Sequence, residues 1–133
     1  MENESDLHKK YKYIFKTILV GDIFVGKSLF THQLVHKQYE YTLPTTGPEF
    51  RTKVIQVRSE SVKMQIWDTS GHEAFKSLTK SYYKSSAGVM IIYDITNRES
   101  FNNVQSWLEE IREHANPKFT GILVANKNDL EKK

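Results

Sequence analysis

The chain has 133 residues, a length that fits one domain rather than two, and Leu, Ile, Val and Phe make up about a quarter of it, above the roughly 20% below which disorder is the default. The net charge of +3 is too small and too scattered to argue for nucleic-acid binding, and the absence of cysteine excludes disulfides, thiolate metal sites, thiol nucleophiles and prenyl or palmitoyl anchors on this chain. The longest apolar run is about five residues, too short to span a bilayer, and the opening MENESDLHKKYKY has no apolar signal region, so the expectation is a cytoplasmic protein without a stable membrane anchor.

Residues 1–12 read as a flexible polar arm. Ile14 to Val20 is β-branched and aromatic and ends at Gly21, the pattern of a strand. A helix then opens at Gly26-Lys27-Ser28, with apolar Leu29, Phe30 and Leu34, and runs to about Lys37. Leu43 to Pro48 is rich in breakers and reads as a loop. Arg51 to Val57 and Val62 to Trp67 are two strand candidates joined by Arg58-Ser59-Glu60-Ser61, as in a hairpin. Residues 73–84 are compatible with a polar helix. Val89 to Tyr93 is a continuous apolar run between Gly88 and Asp94, which fits a strand buried on both faces. Phe101, Val104, Leu108 and Ile111 then recur at helical spacing, with Asn97 or Ser100 as the cap. Ile122 to Ala125 reads as a further buried strand. Strand–helix alternation of this kind argues for an α/β fold with a mostly parallel sheet, in which ligands bind at the carboxyl ends of the strands. Three candidate strands lead into Gly21, Asp68 and Asn126.

The residues at those strand ends carry chemistry. Gly21-Asp22-Ile23-Phe24-Val25-Gly26-Lys27-Ser28 has the form GxxxxGK(S/T), a loop whose backbone N–H groups cradle phosphates at a helix N-terminus. Chance produces such a match in roughly one chain of this length in a few hundred, and here it also falls between a strand and a helix. Within the run from Gly21 through Asp22, Val25 and Gly26 to Leu29, Lys27 is the residue to reach the β- and γ-phosphates and Ser28 the hydroxyl to bind Mg²⁺. Asp68, in Trp67-Asp68-Thr69-Ser70-Gly71, can hold Mg²⁺ through a water, and Gly71 can bring its N–H to a γ-phosphate unobstructed by a Cβ. Asp-x-x-Gly alone is more often a turn, but it gains weight from the phosphate loop about 40 residues upstream. Asn126-Lys127-Asn128-Asp129 has the form NKxD. Asp129 can accept from the N1–H and exocyclic amine of guanine, donors that adenine lacks, while Lys127 lays its stem over the ring. Thr45 or Thr46, in the loop before Glu49-Phe50, could complete the Mg²⁺ shell, although Thr-Thr in a loop is more often plain turn chemistry.

Taken together and in this order, these residues resemble the Ras superfamily of small GTPases, and most of all its Rab branch. The stretches YIFKTILVGD, TTGPEF, KMQIWDTSGHEAFKSLTKSYYKSSAGVMIIYDITNRESFNNVQSWLEEI and ILVANKNDL carry the likeness, which covers about residues 12–130. The resemblance implies a P-loop NTPase fold of Ras-like type and a switch that binds GTP or GDP with Mg²⁺ and works in vesicle traffic. GTP orders the loop around Thr45 and the segment after Gly71, and hydrolysis releases both. It further implies that Phe50, Trp67 and Tyr82 face effector and regulatory proteins, that Tyr39 stacks on guanine, and that Trp107 belongs to the core. By flanking match, which is preferred, Thr45 is the metal ligand, although by count from Ser28 it is Thr46.

The chain also departs from the pattern. Family members continue past the equivalent of Lys133 with a helix, an edge strand, a third base-contacting loop and a final helix. The expectation is therefore a truncated domain over 13–133 without the last strand and helices, its final strand an edge with bare apolar surface. Phe24 stands where the family has a small residue, which strains the loop or crowds the γ-phosphate. His72 stands where the family has a Gln that orients the attacking water, so with Lys27 and Gly71 in place hydrolysis is expected to be slow. Ser70 replaces an Ala, and Pro48 an aliphatic residue. A non-cycling interaction module and an unstable fragment are the competing readings.

Overall fold

The computed structural model describes residues 11–36, 49–69 and 83–130. Five strands form one sheet in the order β2-β3-β1-β4-β5: β1 (Tyr13–Val20), β2 (Glu49–Val57), β3 (Glu60–Asp68), β4 (Gly88–Asp94) and β5 (Thr120–Asn126). β1 pairs in parallel with β3 on one side and β4 on the other, β5 joins β4 in parallel, and only β2 runs antiparallel, against β3. The sheet is flanked by α1 (Lys27–His36), α2 (Arg98–Asn102) and α3 (Val104–His114). This is the mostly parallel, helix-flanked arrangement of a Ras-like P-loop NTPase.

Alternation along the central strands sorts their side chains onto two faces. Ile18 and Val20 of β1 with Val89 and Ile91 of β4 meet Tyr83 and the buried Trp107 and Ile111 of α3. Leu19, Ile66 and Ile92 point the other way and meet Val25, with Phe30, Leu34 and Val35 of α1 against them. Because β1 is central and its two neighbours follow it on opposite sides, the order reverses at its carboxyl end. That crevice is where such sheets bind ligands.

Packing corrects three sequence expectations and decides between the two candidate helix caps. The hairpin turn is Arg58-Ser59 alone, with Val57 paired directly to Glu60, and Arg58 takes the left-handed conformation (φ +57°) that so tight a reversal demands. The amphipathic helix starts at Arg98, as an Asn97 cap gives, and a turn at Asn103 separates α2 from α3. Asn97 is the cap, its side chain accepting from the Ser100 N–H, while Ser100 is itself buried. Phe101 sits on α2, 40% exposed, and packs edge-on against Tyr93 rather than into the core. Finally, β5 is, as expected, an edge with bare apolar surface, Ile122 54% and Leu123 51% exposed, although Ile122 to Ala125 read by itself as a buried strand. The apolar stripe of α3 lies over β4 and leaves an open groove of about 220 Å³ between Leu108 and Ile111 on one side and Ile122 on the other. The polar arm lies mostly outside the described residues, although the Lys12 N–H donates to the Ser61 carbonyl at 2.8 Å.

These burials set the cost of truncation. Ile111→Ala, at a fully enclosed site, is expected to lower the unfolding free energy by about 3 kcal/mol, whereas Phe101→Ala on the exposed face costs less than about 1.5 kcal/mol. Urea denaturation of the two variants beside wild type measures the contrast.

Candidate functional site

The site is built where β1, β3 and β5 end. β1 delivers the chain at Gly21, whose positive φ (+148°) and close approach to the Ile92 carbonyl leave no room for a Cβ: one would fall 2.2 Å from that oxygen. The chain then wraps back so that α1 begins at Lys27. Lys27 is buried, 6% exposed, and its ammonium donates to the carbonyls of Gly21 (3.0 Å) and Asp22 (2.9 Å). Burial pushes its pKa down to about 8, against the pull of the Asp68 and Asp22 carboxylates. A cation is thus held inside a loop at a helix N-terminus, the place where backbone dipoles already favour an anion.

Ser28 follows on α1, and its hydroxyl donates to a carboxylate oxygen of Asp68, the last residue of β3. Asp68 is 3% exposed. Thr69, next to it, is tied by its hydroxyl to the Leu19 carbonyl of β1, which fixes the β3 tip beside the loop. A hydroxyl and one carboxylate fit Mg²⁺, which takes few protein oxygens and completes its octahedron with water and phosphate. Among the described residues there is no group of three or more His, Cys, Asp or Glu that would make an all-protein metal cage.

The tip of β5 attaches to the same loop. The Asn126 amide donates to the Val25 carbonyl (2.8 Å), and the Lys127 ammonium donates to the Phe24 carbonyl (2.8 Å). Gly26 passes so close that a Cβ there would sit 2.6 Å from the Asn126 amide nitrogen. Lys127, in a left-handed conformation (φ +67°), also pairs with the Asp94 carboxylate at 2.9 Å. Burial would raise the Asp94 carboxyl, but bonds from Thr96 and Lys127 outweigh it and hold the group below its usual range. Beside these bonds lies a cavity of about 250 Å³, lined by Gly26, Leu29, Phe30 and Gln33 on one side and by Asn126, Lys127, Asp129 and Leu130 on the other. Leu29 and Phe30 give its α1 side apolar surface and Asn126, Lys127 and Asp129 give the β5 side polar groups, a combination that suits a flat, hydrogen-bonding ring.

The fold therefore brings Gly21, Asp22, Val25, Gly26, Lys27, Ser28 and Asp68 together at the β1 and β3 ends, and joins Leu29, Asn126, Lys127 and Asp129 to them through the cavity. Trp67 lies half-buried directly opposite Phe50 in the β2–β3 ladder, with the Lys16 ammonium 4.7 Å from its ring centroid. Tyr39, Thr45, Thr46, Gly71, His72 and Tyr82 lie outside the described residues, as does the side chain of Phe50. Sequence reading missed Phe30, Gln33 and Leu130 in the cavity and Asp94 beneath Lys127. An Asp closing the apolar run Val89–Tyr93 was the one available hint of the last.

A family model described as the Ras family matches residues 16–133. The match takes in the phosphate loop, the β3 tip and the β5 tip alike.

The expected strain at Phe24 is present: its φ is +67°, a conformation that costs a side-chain-bearing residue about 1 kcal/mol or more. Its ring is 69% exposed, so little burial offsets this. Phe24→Gly is expected to raise the unfolding free energy by about 1 kcal/mol, read as an increase in thermal midpoint without nucleotide.

Proposed function

Because the chain belongs to the Ras family, we propose that it is a Rab-like guanine-nucleotide switch of vesicle and membrane traffic, holding GTP or GDP with Mg²⁺ and hydrolysing GTP slowly. The family as a whole binds guanine nucleotides and cleaves GTP. The observation that carries the reading for this chain is the buried Lys27 ammonium in a preformed loop, next to the Ser28–Asp68 pair and continuous with the cavity that Asp129 lines.

In this reading the loop N–H groups and Lys27 bind the α-, β- and γ-phosphates, and Ser28 and Asp68 hold the metal with Thr45 or Thr46. When bound, Mg²⁺ neutralises charge developing on the β- and γ-phosphates. Asn126 ties the base loop to the phosphate loop, Lys127 covers one face of the ring, and Asp129 accepts from the two guanine donors, with Tyr39 stacking nearby. Gly71 donates its N–H to the γ-phosphate. His72 stands in for the residue that orients water, and an imidazole cannot both donate and accept from a single planar amide as Gln does. Phe50, Trp67 and Tyr82 form the surface offered to effectors and regulators, through which a cytoplasmic protein would reach endomembranes transiently. No described helix is long and apolar enough to cross a membrane.

A titration with fluorescently labelled GDP tests the core of this. Saturable binding that requires Mg²⁺, resists a large excess of ATP and weakens at least about 100-fold in Lys27→Ala is the expected result. A chain that unfolds cooperatively but binds no guanine nucleotide, with no rise in thermal midpoint at saturating GTP, would instead favour a non-cycling interaction module. For hydrolysis, His72→Gln is expected to speed single-turnover GTP cleavage about tenfold or more. If the substitution brings no acceleration, His72 is not what slows the reaction.

A further inference from the structure

Asp22 places a carboxylate in a loop that binds a polyanion. Its carbonyl helps to hold the Lys27 ammonium, yet its side chain carries a negative charge that would repel phosphate at close range. The carboxylate is turned toward α3 and fully engaged there. Oδ1 accepts from the Trp107 indole N–H at 2.8 Å, and Oδ2 accepts from the Asn103 side-chain amide at 2.6 Å. Both donors are neutral, and they stand four residues apart, so they project from one face of the helix.

The geometry of the α2–α3 junction agrees with a dedicated role. Asn103 occupies the N-cap position of α3, where Asn is among the best capping residues, but its side chain caps nothing. It is not needed there, because the backbone pattern runs through the junction: the Asn103 N–H donates to Glu99 (3.0 Å) and the Trp107 N–H to Asn103 (3.1 Å). The amide is free to reach Asp22. Trp107 is 2% exposed within the core cluster of α3, so its ring is rigidly seated and its N–H is aimed by packing.

We propose that Asn103 and Trp107 are positioning residues for the nucleotide site, gripping the Asp22 carboxylate from α3 so that both its oxygens accept from N–H donors there and its carbonyl is fixed under Lys27. The inference rests on nucleotide binding at this loop. It adds that the loop's geometry is set from α3, by a bidentate clamp that neither the phosphate-loop pattern nor the base-loop pattern contains.

The test is the release rate of prebound labelled GDP, chased with unlabelled GDP, in the full chain. Trp107→Phe keeps the ring packing and removes one donor, and Asn103→Ala removes the other. Each is expected to speed release about tenfold, the factor that corresponds to about 1.4 kcal/mol. In an Asp22→Ala background the same two substitutions are expected to add little, because the clamp has already lost its target. A purely structural role would give additive effects and lower thermal midpoints with no such dependence on residue 22. The indole N–H resonance of Trp107 supplies an independent readout: Asp22→Ala is expected to shift it upfield and speed its exchange with water. Wild-type release rates in both single variants, or full additivity with Asp22→Ala, would overturn the clamp while leaving nucleotide binding intact. A folded wild-type chain that binds no GDP would overturn both.

Discussion

A buried ammonium group organises this molecule. Lys27 gives up most of its hydration at the end of the central strand, and what replaces the water is two backbone carbonyls of its own loop. Carbonyl dipoles satisfy the donors of an ammonium without cancelling its charge. The result is a cation fixed in a low-dielectric cradle with the N-terminus of α1 beside it, so a phosphate arriving there meets charge and dipoles already in place and little has to reorganise. The glycines on either side follow from the same constraint. The chain can wrap around Lys27 only by passing against the Ile92 carbonyl at Gly21 and against Asn126 at Gly26.

The loop does not hold this shape alone. Three elements pin it by bonds to its backbone or side chains: β5 through Asn126 and Lys127, β3 through the Asp68 contact with Ser28, and α3 through Asn103 and Trp107. The bonds from β5 make the phosphate cradle and the base cavity one unit, since Val25 and Phe24 are held by the very residues that line the cavity. Lys127 is in turn anchored by Asp94 at the end of β4. The ends of β3, β4 and β5 therefore each contribute a polar side chain to the support of the site, even β5, whose apolar Ile122 and Leu123 are exposed at the edge of the sheet.

Much of this was legible in the sequence because it depends on local order. The strand before Gly21, the apolar run before Asp94 and the phosphate and base motifs are contiguous stretches in which composition, turn residues and spacing agree. Their common placement at strand ends followed from the α/β alternation. What the sequence concealed arises between segments far apart in the chain. The Asp22 to Trp107 contact spans 85 residues, and nothing in the periodicity of α3 separates an indole that packs from one that also donates. The Asn103 contact with Asp22 was hidden for a related reason: apolar spacing reports which face is buried, not what the polar side chains between bind.

The chain order of its motifs and the alternation of its strands and helices were enough to determine the class of fold and the phosphate-binding end of the sheet, because both follow from hydrogen-bonding periodicity and from residue types within short windows. Tertiary structure alone decided which polar side chains brace the loop and where the base cavity lies against α1. Those depend on distances between elements, which packing sets and linear spacing does not encode.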